Sequence, residues 1–121
     1  MTNRYIESRN VAREDLESAV ASNDIKLLRE YLVSAALVGE DLPFLEQVCL
    51  NLSAHLDEEV RGNAILGLGH LARRARSLDS KARTIIENGL QDSSSYVRGH
   101  AWSAADDVIH FLGWQVVGYK K

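Results

Sequence analysis

Histidine and other polar side chains recur at helical spacing in the last third of the chain, and these are the residues best suited to chemistry. Between positions 94 and 113 they follow one another at intervals of three, four and three: His100, Ser103, Asp107 and His110. In an α-helix these intervals place all four side chains on one face. Imidazole and carboxylate groups bind metals, transfer protons and make polar contacts with protein partners. The stripe is therefore a candidate functional surface.

A second polar stripe precedes the first by 37 residues. At the same register stand Asn63, Leu66, His70 and Arg73, with Arg74 next to them. If the two helices are neighbours, the stripes lie side by side and form one polar surface with three histidines, one acid and one or two arginines. The arginines also stand near a predicted helix end, where positive charge is favourable.

Three interpretations of this polar surface stay open. It is a solvated face that binds nothing, a surface that binds a protein partner, or a metal or catalytic site. The third is the least supported, because His100 and Asp107 lie two turns apart and the chain has no glycine-rich phosphate loop, no Gly-x-Ser-x-Gly and no Cys–His pairing. We therefore expect no catalytic residue, cofactor or metal, and we assign a partner-binding role to Asn63, His70, Arg73, Arg74, His100, Ser103, Asp107 and His110.

Six helical segments are predicted to position these residues. Leucine and alanine dominate the apolar residues, which recur at helical spacing, and strand-like alternation is almost absent. Pro43 suits a first helical turn, and Gly89 suits a left-handed helix stop. The helices pair into three antiparallel hairpins, so the predicted fold class is all-α. The hairpins cover about residues 10–38, 42–74 and 79–113.

Length and composition fit one soluble domain spanning residues 1–121. Of these residues 45% are apolar and 26% are charged, and the net charge of -3 excludes a generally basic nucleic-acid-binding coat. The first twenty residues are rich in charge, and the most apolar stretch, 31–38, is too short to cross a bilayer. Cys49 stands in an apolar run and suits a core position. We expect a cytoplasmic protein.

An internal repeat connects the two polar stripes. Residues 60–64 read VRGNA and residues 97–101 read VRGHA, and each follows an acidic turn that contains Asp57 or Asp92. In both copies an alanine stands three residues after the arginine, and an apolar helix follows. This order of an acidic turn, a Val-Arg pair, an alanine and an apolar helix resembles the HEAT-repeat family. The resemblance covers about residues 42–112. It implies a right-handed stack of helical hairpins, an α-solenoid.

The resemblance also implies roles for residues near the repeat. Arg61 and Arg98 begin the second helix of their hairpins, where arginines of this family reach the acidic turn or a neighbouring repeat. Gly62 and Gly99 are expected to permit close approach of helices. In such stacks the second helices line the concave surface, which places both polar stripes there.

The expected function follows from this kind of surface. An extended helical surface suits another macromolecule, so we expect a protein-binding module rather than an enzyme. In size and mild acidity the chain is similar to cytosolic immunity proteins. Each of these proteins binds and neutralises one bacterial toxin domain, and many of the toxin domains are basic. A general adaptor in a larger complex is the alternative, and a nucleic-acid binder is the third possibility. We expect no small-molecule substrate and no membrane partner.

Overall fold

The structure, a computed structural model, describes residues 13–120 and is all-helical over that range. Six α-helices are present, and no strand occurs among these residues. The prediction of an all-α fold with six helices is confirmed. The helices are α1 (Arg13–Ser22), α2 (Ile25–Val38), α3 (Leu42–Leu52), α4 (Glu58–Ala75), α5 (Lys81–Gly89) and α6 (Ser95–Leu112). The predicted first positions of α1, residues 10–12, lie outside the described residues.

Side-chain oxygens cap the starts of four helices. Asp24, Asp41 and Asp57 each accept the backbone N–H three residues further on, at the starts of α2, α3 and α4. The Ser94 hydroxyl does the same for α6. Such N-caps satisfy N–H groups that have no partner within the helix. At the other end of α6, Gly113 is left-handed with φ 69°, as its position after the apolar periodicity indicates.

Gly89 does not end α5 in a left-handed conformation, so that prediction is wrong. It is the last residue of the helix, and the capping residue after it, Leu90, is right-handed with φ -65°. Gly89 is instead a point of close contact, since a Cβ there would lie 2.8 Å from Ala101 Cβ and 3.1 Å from Ile65 Cδ1. The missing side chain lets α5 approach both α4 and α6.

The helices form three hairpins, α1–α2, α3–α4 and α5–α6, which follow one another in chain order. The second helices of the hairpins are neighbours, because α4 contacts both α2 and α6. Among the first helices α3 contacts α5, whereas no backbone contact joins α1 to α3 in the described chain. Each hairpin therefore packs on the hairpins adjacent to it, which is the arrangement of a helical stack.

The second helices share one register of buried residues. In each of them, apolar side chains at intervals of four residues are at most 1% exposed: Leu28, Leu32 and Ala36 in α2, Val60, Ala64 and Leu68 in α4, and Val97, Ala101 and Ala105 in α6. Spacing of this kind buries one continuous stripe of a helix. The first hairpin thus shares the packing of the other two, although it lacks their Val-Arg pair.

Arginine–aspartate pairs connect successive hairpins. Arg61 in α4 donates two hydrogen bonds, each 2.9 Å, to Asp92 in the turn before α6. Arg29 in α2 donates two, of 3.2 and 2.8 Å, to Asp57 in the turn before α4. The pairing predicted for Arg61 is confirmed. Arg29 adds a pair that the sequence analysis missed, although an apolar residue precedes this arginine too.

These pairs stabilise the charged form of both carboxyl groups. The Arg29 guanidinium, helped by a backbone N–H, lowers the pKa of Asp57 to about 2. The Arg61 guanidinium likewise lowers the pKa of Asp92. Arg98 donates to the backbone oxygen of Asp92 at 2.8 Å rather than to its carboxylate. Because bidentate, charge-assisted bonds fix geometry as well as adding energy, the pairs set how one hairpin sits on the next.

The C-terminal segment 113–120 packs back on the last hairpin. Trp114 and Tyr119 lie against the core between α5 and α6. Tyr119 donates from its hydroxyl to Asp106 Oδ1 at 2.8 Å, and Trp102 Nε1 donates to the backbone oxygen of Lys120 at 3.0 Å. The segment therefore covers the outer side of the stack's last hairpin. None of the described helices has the length and apolar character needed to cross a membrane.

Candidate functional site

Helices α4 and α6 approach each other closely where α4 carries glycine. A Cβ at Gly62 would lie 2.9 Å from the Tyr96 ring, and one at Gly69 would lie 2.9 Å from Ala104 Cα and 2.8 Å from Asp107 Oδ2. Separations below 3.0 Å are too short for a real Cβ, so both positions require glycine at this spacing of the helices. The polar side chains of α4 and α6 are thereby brought together along the line where the two helices meet, which we call the seam.

Gly99 has no such role. A Cβ at this position would meet no atom within 4 Å, and the residue is exposed on α6. Close helix approach is therefore confirmed for Gly62 and wrong for Gly99. The two glycines occupy the same place in the repeat, but α4 has a further helix packed against it and α6 does not.

Asn63 joins three helices from inside the stack. Its side chain is almost fully buried, with 6% of the residue exposed. Its Nδ2 donates to the backbone oxygen of Arg29 in α2 at 3.1 Å, and its Oδ1 accepts from the Tyr96 hydroxyl in α6 at 2.6 Å. Both ends of the amide are used within the protein, so Asn63 does not lie on the polar surface assigned from the sequence. Tyr96, which that analysis did not single out, is its partner.

Arg74 also turns inward, towards α2. Its guanidinium donates to the backbone oxygens of Ala36 at 2.9 Å and Gly39 at 2.5 Å. These carbonyls belong to the last turn of α2 and to its capping residue, where backbone acceptors lack partners within the helix. Arg74 is thus a helix cap supplied by the next hairpin, and it points away from the α4–α6 seam.

Burial favours the neutral form of His70 and His100. His70 Nδ1 is buried and has no hydrogen-bond partner in the described part of the protein. Burial lowers the pKa of His70, and the positive charge of Arg73 and the nearby His100 lower it further. Burial also lowers the pKa of His100, whose ring lies 4.3 Å from that of Tyr96. An uncharged imidazole keeps one nitrogen as an acceptor.

Asp107 is a half-buried carboxylate at the same seam. Burial raises its pKa, and the charges of Arg73 and His110 only partly counter that effect. In the described structure no hydrogen bond and no ion pair within 4 Å reaches its side chain. Its oxygens are not fully buried, so a hydrogen-bond donor from outside the protein can reach them.

The structure brings five of the eight predicted residues together. Electrostatic interactions connect His70 with Arg73 and His100, and connect Asp107 with Arg73 and His110. We call these five residues, His70, Arg73, His100, Asp107 and His110, the seam cluster. Ser103 is exposed on the same helix as the last three, and Asn63 and Arg74 are engaged elsewhere. No group of three or more histidine, cysteine, aspartate or glutamate side chains among residues 13–120 is arranged to hold a metal ion.

The buried Cys49 lies apart from the seam cluster. The thiol is fully enclosed in the core between α3 and α4, and burial raises its pKa to about 12. A thiol with a raised pKa is a poor nucleophile, so Cys49 is a small core side chain, as its apolar neighbours in the sequence indicate.

Comparisons with known proteins do not name a relative for this architecture. No protein-family model matches the chain, and neither the curated proteins nor the solved structures contain a match to it.

Proposed function

We propose that this chain is a protein-binding module that forms a one-to-one complex through the seam cluster. The observation that supports the proposal is the half-buried Asp107 carboxylate, which has no hydrogen bond or ion pair to any of residues 13–120 and lies beside Arg73 and His110. Buried polar groups are normally paired, and a group left unpaired is costly. A partner that donates a hydrogen bond to Asp107 offsets the cost of its partial burial.

The seam is also suited to recognition because it is rigid. Its side chains stand on two 18-residue helices that are in direct contact at Gly62 and Gly69. Groups that are already fixed lose little conformational freedom when a partner binds, which favours affinity. Arg73 and the histidines add the polar and cationic character that specific interfaces use at well-packed positions.

We propose further that the partner is a toxin domain, which the chain neutralises as an immunity protein does. Support comes from the HEAT-like sequence repeat, from the small size of the chain, and from its net charge of -3, which favours association with a basic enzyme. The corresponding alternative is a HEAT-like adaptor in a larger assembly. The number and identity of the partners separate the two.

The test is affinity capture with the full tagged chain in its native organism, followed by mass spectrometry of the bound proteins. The inhibitor proposal predicts one stoichiometric partner that is toxic when expressed alone and harmless when co-expressed with this chain. Capture of several unrelated partners supports the adaptor. Failure of co-expression to protect the cell contradicts the inhibitor.

Charge reversal at the seam tests which surface the partner uses. Asp107→Lys is expected to weaken the complex at least about tenfold, because it replaces an acceptor in the centre of the cluster. Asp79→Lys, the same change at an exposed position before α5, is the matched control and is expected to leave binding unchanged. Calorimetric titration measures both, and circular dichroism checks that each variant keeps its helices. Equal affinities for the two variants would place the interface elsewhere.

A further inference from the structure

Helices α1 and α3 are the one pair of successive first helices without backbone contact in the described chain. They are connected at their two ends by polar side chains. At one end Arg13 Nη1 lies 2.7 Å from Asp41 Oδ2, and at the other His55 Nε2 lies 2.7 Å from Asn23 Oδ1. Helix α1 spans ten residues, or about 15 Å, between these contacts. The middle of the pair is left open.

An apolar groove occupies this opening. Its volume is about 280 Å³, and its lining comprises Val20, Ala21, Phe44 and Val48, with Glu17, Gln47 and Asn51 around them. Val20 is 39% exposed although it lies on the groove wall. Pockets for drug-sized ligands are larger, about 300–1,000 Å³. The groove has the size for one or two apolar side chains of a protein segment.

Phe44, which lines the groove, also contacts Arg13. The Arg13 guanidinium lies over its ring, 4.3 Å from the centroid, and is itself bonded to Glu17 and Asp41. This cation–π contact favours the observed position of the ring.

The part of the stack that carries the groove is strongly acidic. Residues 13–52 contain three basic and eight acidic side chains, a net charge of -5, whereas residues 58–120 contain eight basic and seven acidic ones, a net charge of +1. The acidic residues of the first segment are Glu14, Asp15, Glu17, Asp24, Glu30, Glu40, Asp41 and Glu46. Such an asymmetry attracts a positively charged segment to this end of the molecule.

We infer that the α1–α3 groove is a docking site for a basic segment of a partner protein, which inserts an aliphatic or aromatic side chain between Val20 and Phe44. Lysine or arginine residues next to that anchor face the acidic surroundings. The site lies on α1 and α3, whereas the seam cluster lies on α4 and α6. It is therefore a second contact, and it does not depend on the proposed function of the seam cluster.

The test uses the immobilised full chain and a random peptide library displayed on phage. Selection is expected to enrich peptides in which an apolar anchor adjoins lysine or arginine. Their affinity is expected to fall several-fold when salt rises from about 50 mM to about 300 mM, since the attraction is partly between exposed charges. Enrichment of acidic peptides, or of none, would overturn the inference.

A matched pair of variants connects the selected peptides to the groove. Val20→Lys places a charged side chain on the groove wall and is expected to weaken peptide binding at least about tenfold. Val38→Lys adds the same charge at a valine of similar exposure, 43%, at the end of α2, and is expected to bind as the unsubstituted chain does. Circular dichroism confirms that both variants are folded. Peptides that bind all three proteins equally would contradict the assignment.

Two further outcomes are informative. If the chain self-associates in sedimentation experiments and Val20→Lys abolishes the association, the groove takes a second copy of the chain and the inference is wrong. Asp107→Lys is expected to leave the affinity of the selected peptides unchanged. Loss of peptide binding in the Val20 variant alone supports the groove, while loss of the principal partner in the Asp107 variant alone supports the seam, so the two proposals fail separately.

Discussion

Asp107 is an ionisable side chain that makes no ion pair or hydrogen bond with the described residues. Its carboxylate is half-buried, and burial raises its pKa above that of an ordinary aspartate. A group with a raised pKa in the folded state binds protons more readily there than in the unfolded chain, so the stability it contributes falls as pH rises through that range. At neutral pH the charged form of Asp107 is thus a small cost to the isolated protein, which is consistent with a role in binding.

Asp107→Asn is therefore expected to increase the free energy of unfolding at pH 7. The amide has nearly the same shape and no charge to desolvate. At about pH 3, where the carboxyl is protonated in both states, the difference from the unsubstituted chain is expected to disappear. Urea unfolding at the two pH values measures it. A variant that is less stable at pH 7 would indicate a stabilising contact to the carboxylate.

Single residues were the hardest features to predict from the sequence. Helical spacing placed Asn63 and Arg74 on the same stripe as His70, and both side chains instead bond to α2. Spacing gives the angle of a side chain around its own helix, but not which neighbouring helix covers that angle. The five residues of the seam cluster were predicted because their stripe lies where α4 and α6 meet.

At the scale of helices, close packing of α4 on α6 depends on glycine in α4, and Gly69 is the position where a Cβ would meet the backbone of α6. Gly69→Ala is expected to lower the free energy of unfolding by about 1–3 kcal/mol, because the added Cβ meets Ala104 Cα and forces the helices apart. Gly99→Ala is the control, at an exposed helical position with free space around it. It is expected to raise stability by about 0.5–1 kcal/mol through the better helix propensity of alanine.

Both substitutions are measured by denaturant unfolding under the same conditions. Opposite signs for the two glycines are the expected result, and a destabilising Gly99→Ala would show that α6 has a neighbour on that side. The seam itself can be followed in the Gly69 variant through the pKa of His70, since separation of the helices admits water. NMR titration of the imidazole is expected to show that pKa returning towards its ordinary value.

The starts of several helices have causes that are local in the sequence. Asp24, Asp41 and Asp57 each cap the helix that follows, and a capping side chain needs only the N–H groups next to it in sequence. The prediction that Gly89 ends α5 in a left-handed conformation was wrong because its cause is not local. Its position after an apolar run resembled a helix stop, but its conformation is set by Ala101 and Ile65, which are distant in sequence.

At the scale of the whole molecule, the arginine–aspartate pairs connect hairpins that share little else in sequence. The folded-state pKa of Asp57 is lowered to about 2, so its ionised form stabilises the fold above its ordinary pKa and that contribution is lost as pH falls through about 2. Acid is therefore expected to weaken the contact between the first two hairpins. Arg29 is the group whose pairing is lost.

Asp57→Asn is expected to cost about 0.5–1.5 kcal/mol at pH 7, because asparagine still caps α4 but cannot form the ion pair with Arg29. The loss of stability between about pH 4 and about pH 2 is expected to be smaller in this variant than in the unsubstituted chain. Asp15→Asn, at an exposed position of α1, is the control for the substitution itself and should leave the free energy of unfolding at pH 7 nearly unchanged. Thermal unfolding across that range compares all three proteins.

The sequence predicted a stack of three hairpins but not the opening within it. Val20, Phe44 and Val48 all fit an apolar helical face, and periodicity alone assigns such residues to a core. Whether two apolar faces meet depends on how α1 and α3 are spaced, which the contacts of Arg13 with Asp41 and Phe44 help to set. Contacts between helices that are distant in sequence leave no trace in local periodicity.

The isolation of α1 has a consequence for cooperativity. In the described chain its backbone contacts α2 alone, so we expect α1 to open more readily than the other five helices. A segment bound in the groove touches α1 and α3 together and adds its binding free energy to the stability of the closed end. Binding at the groove is then coupled to the folding of α1. When the groove is occupied, α1 is expected to unfold together with the rest of the protein rather than before it.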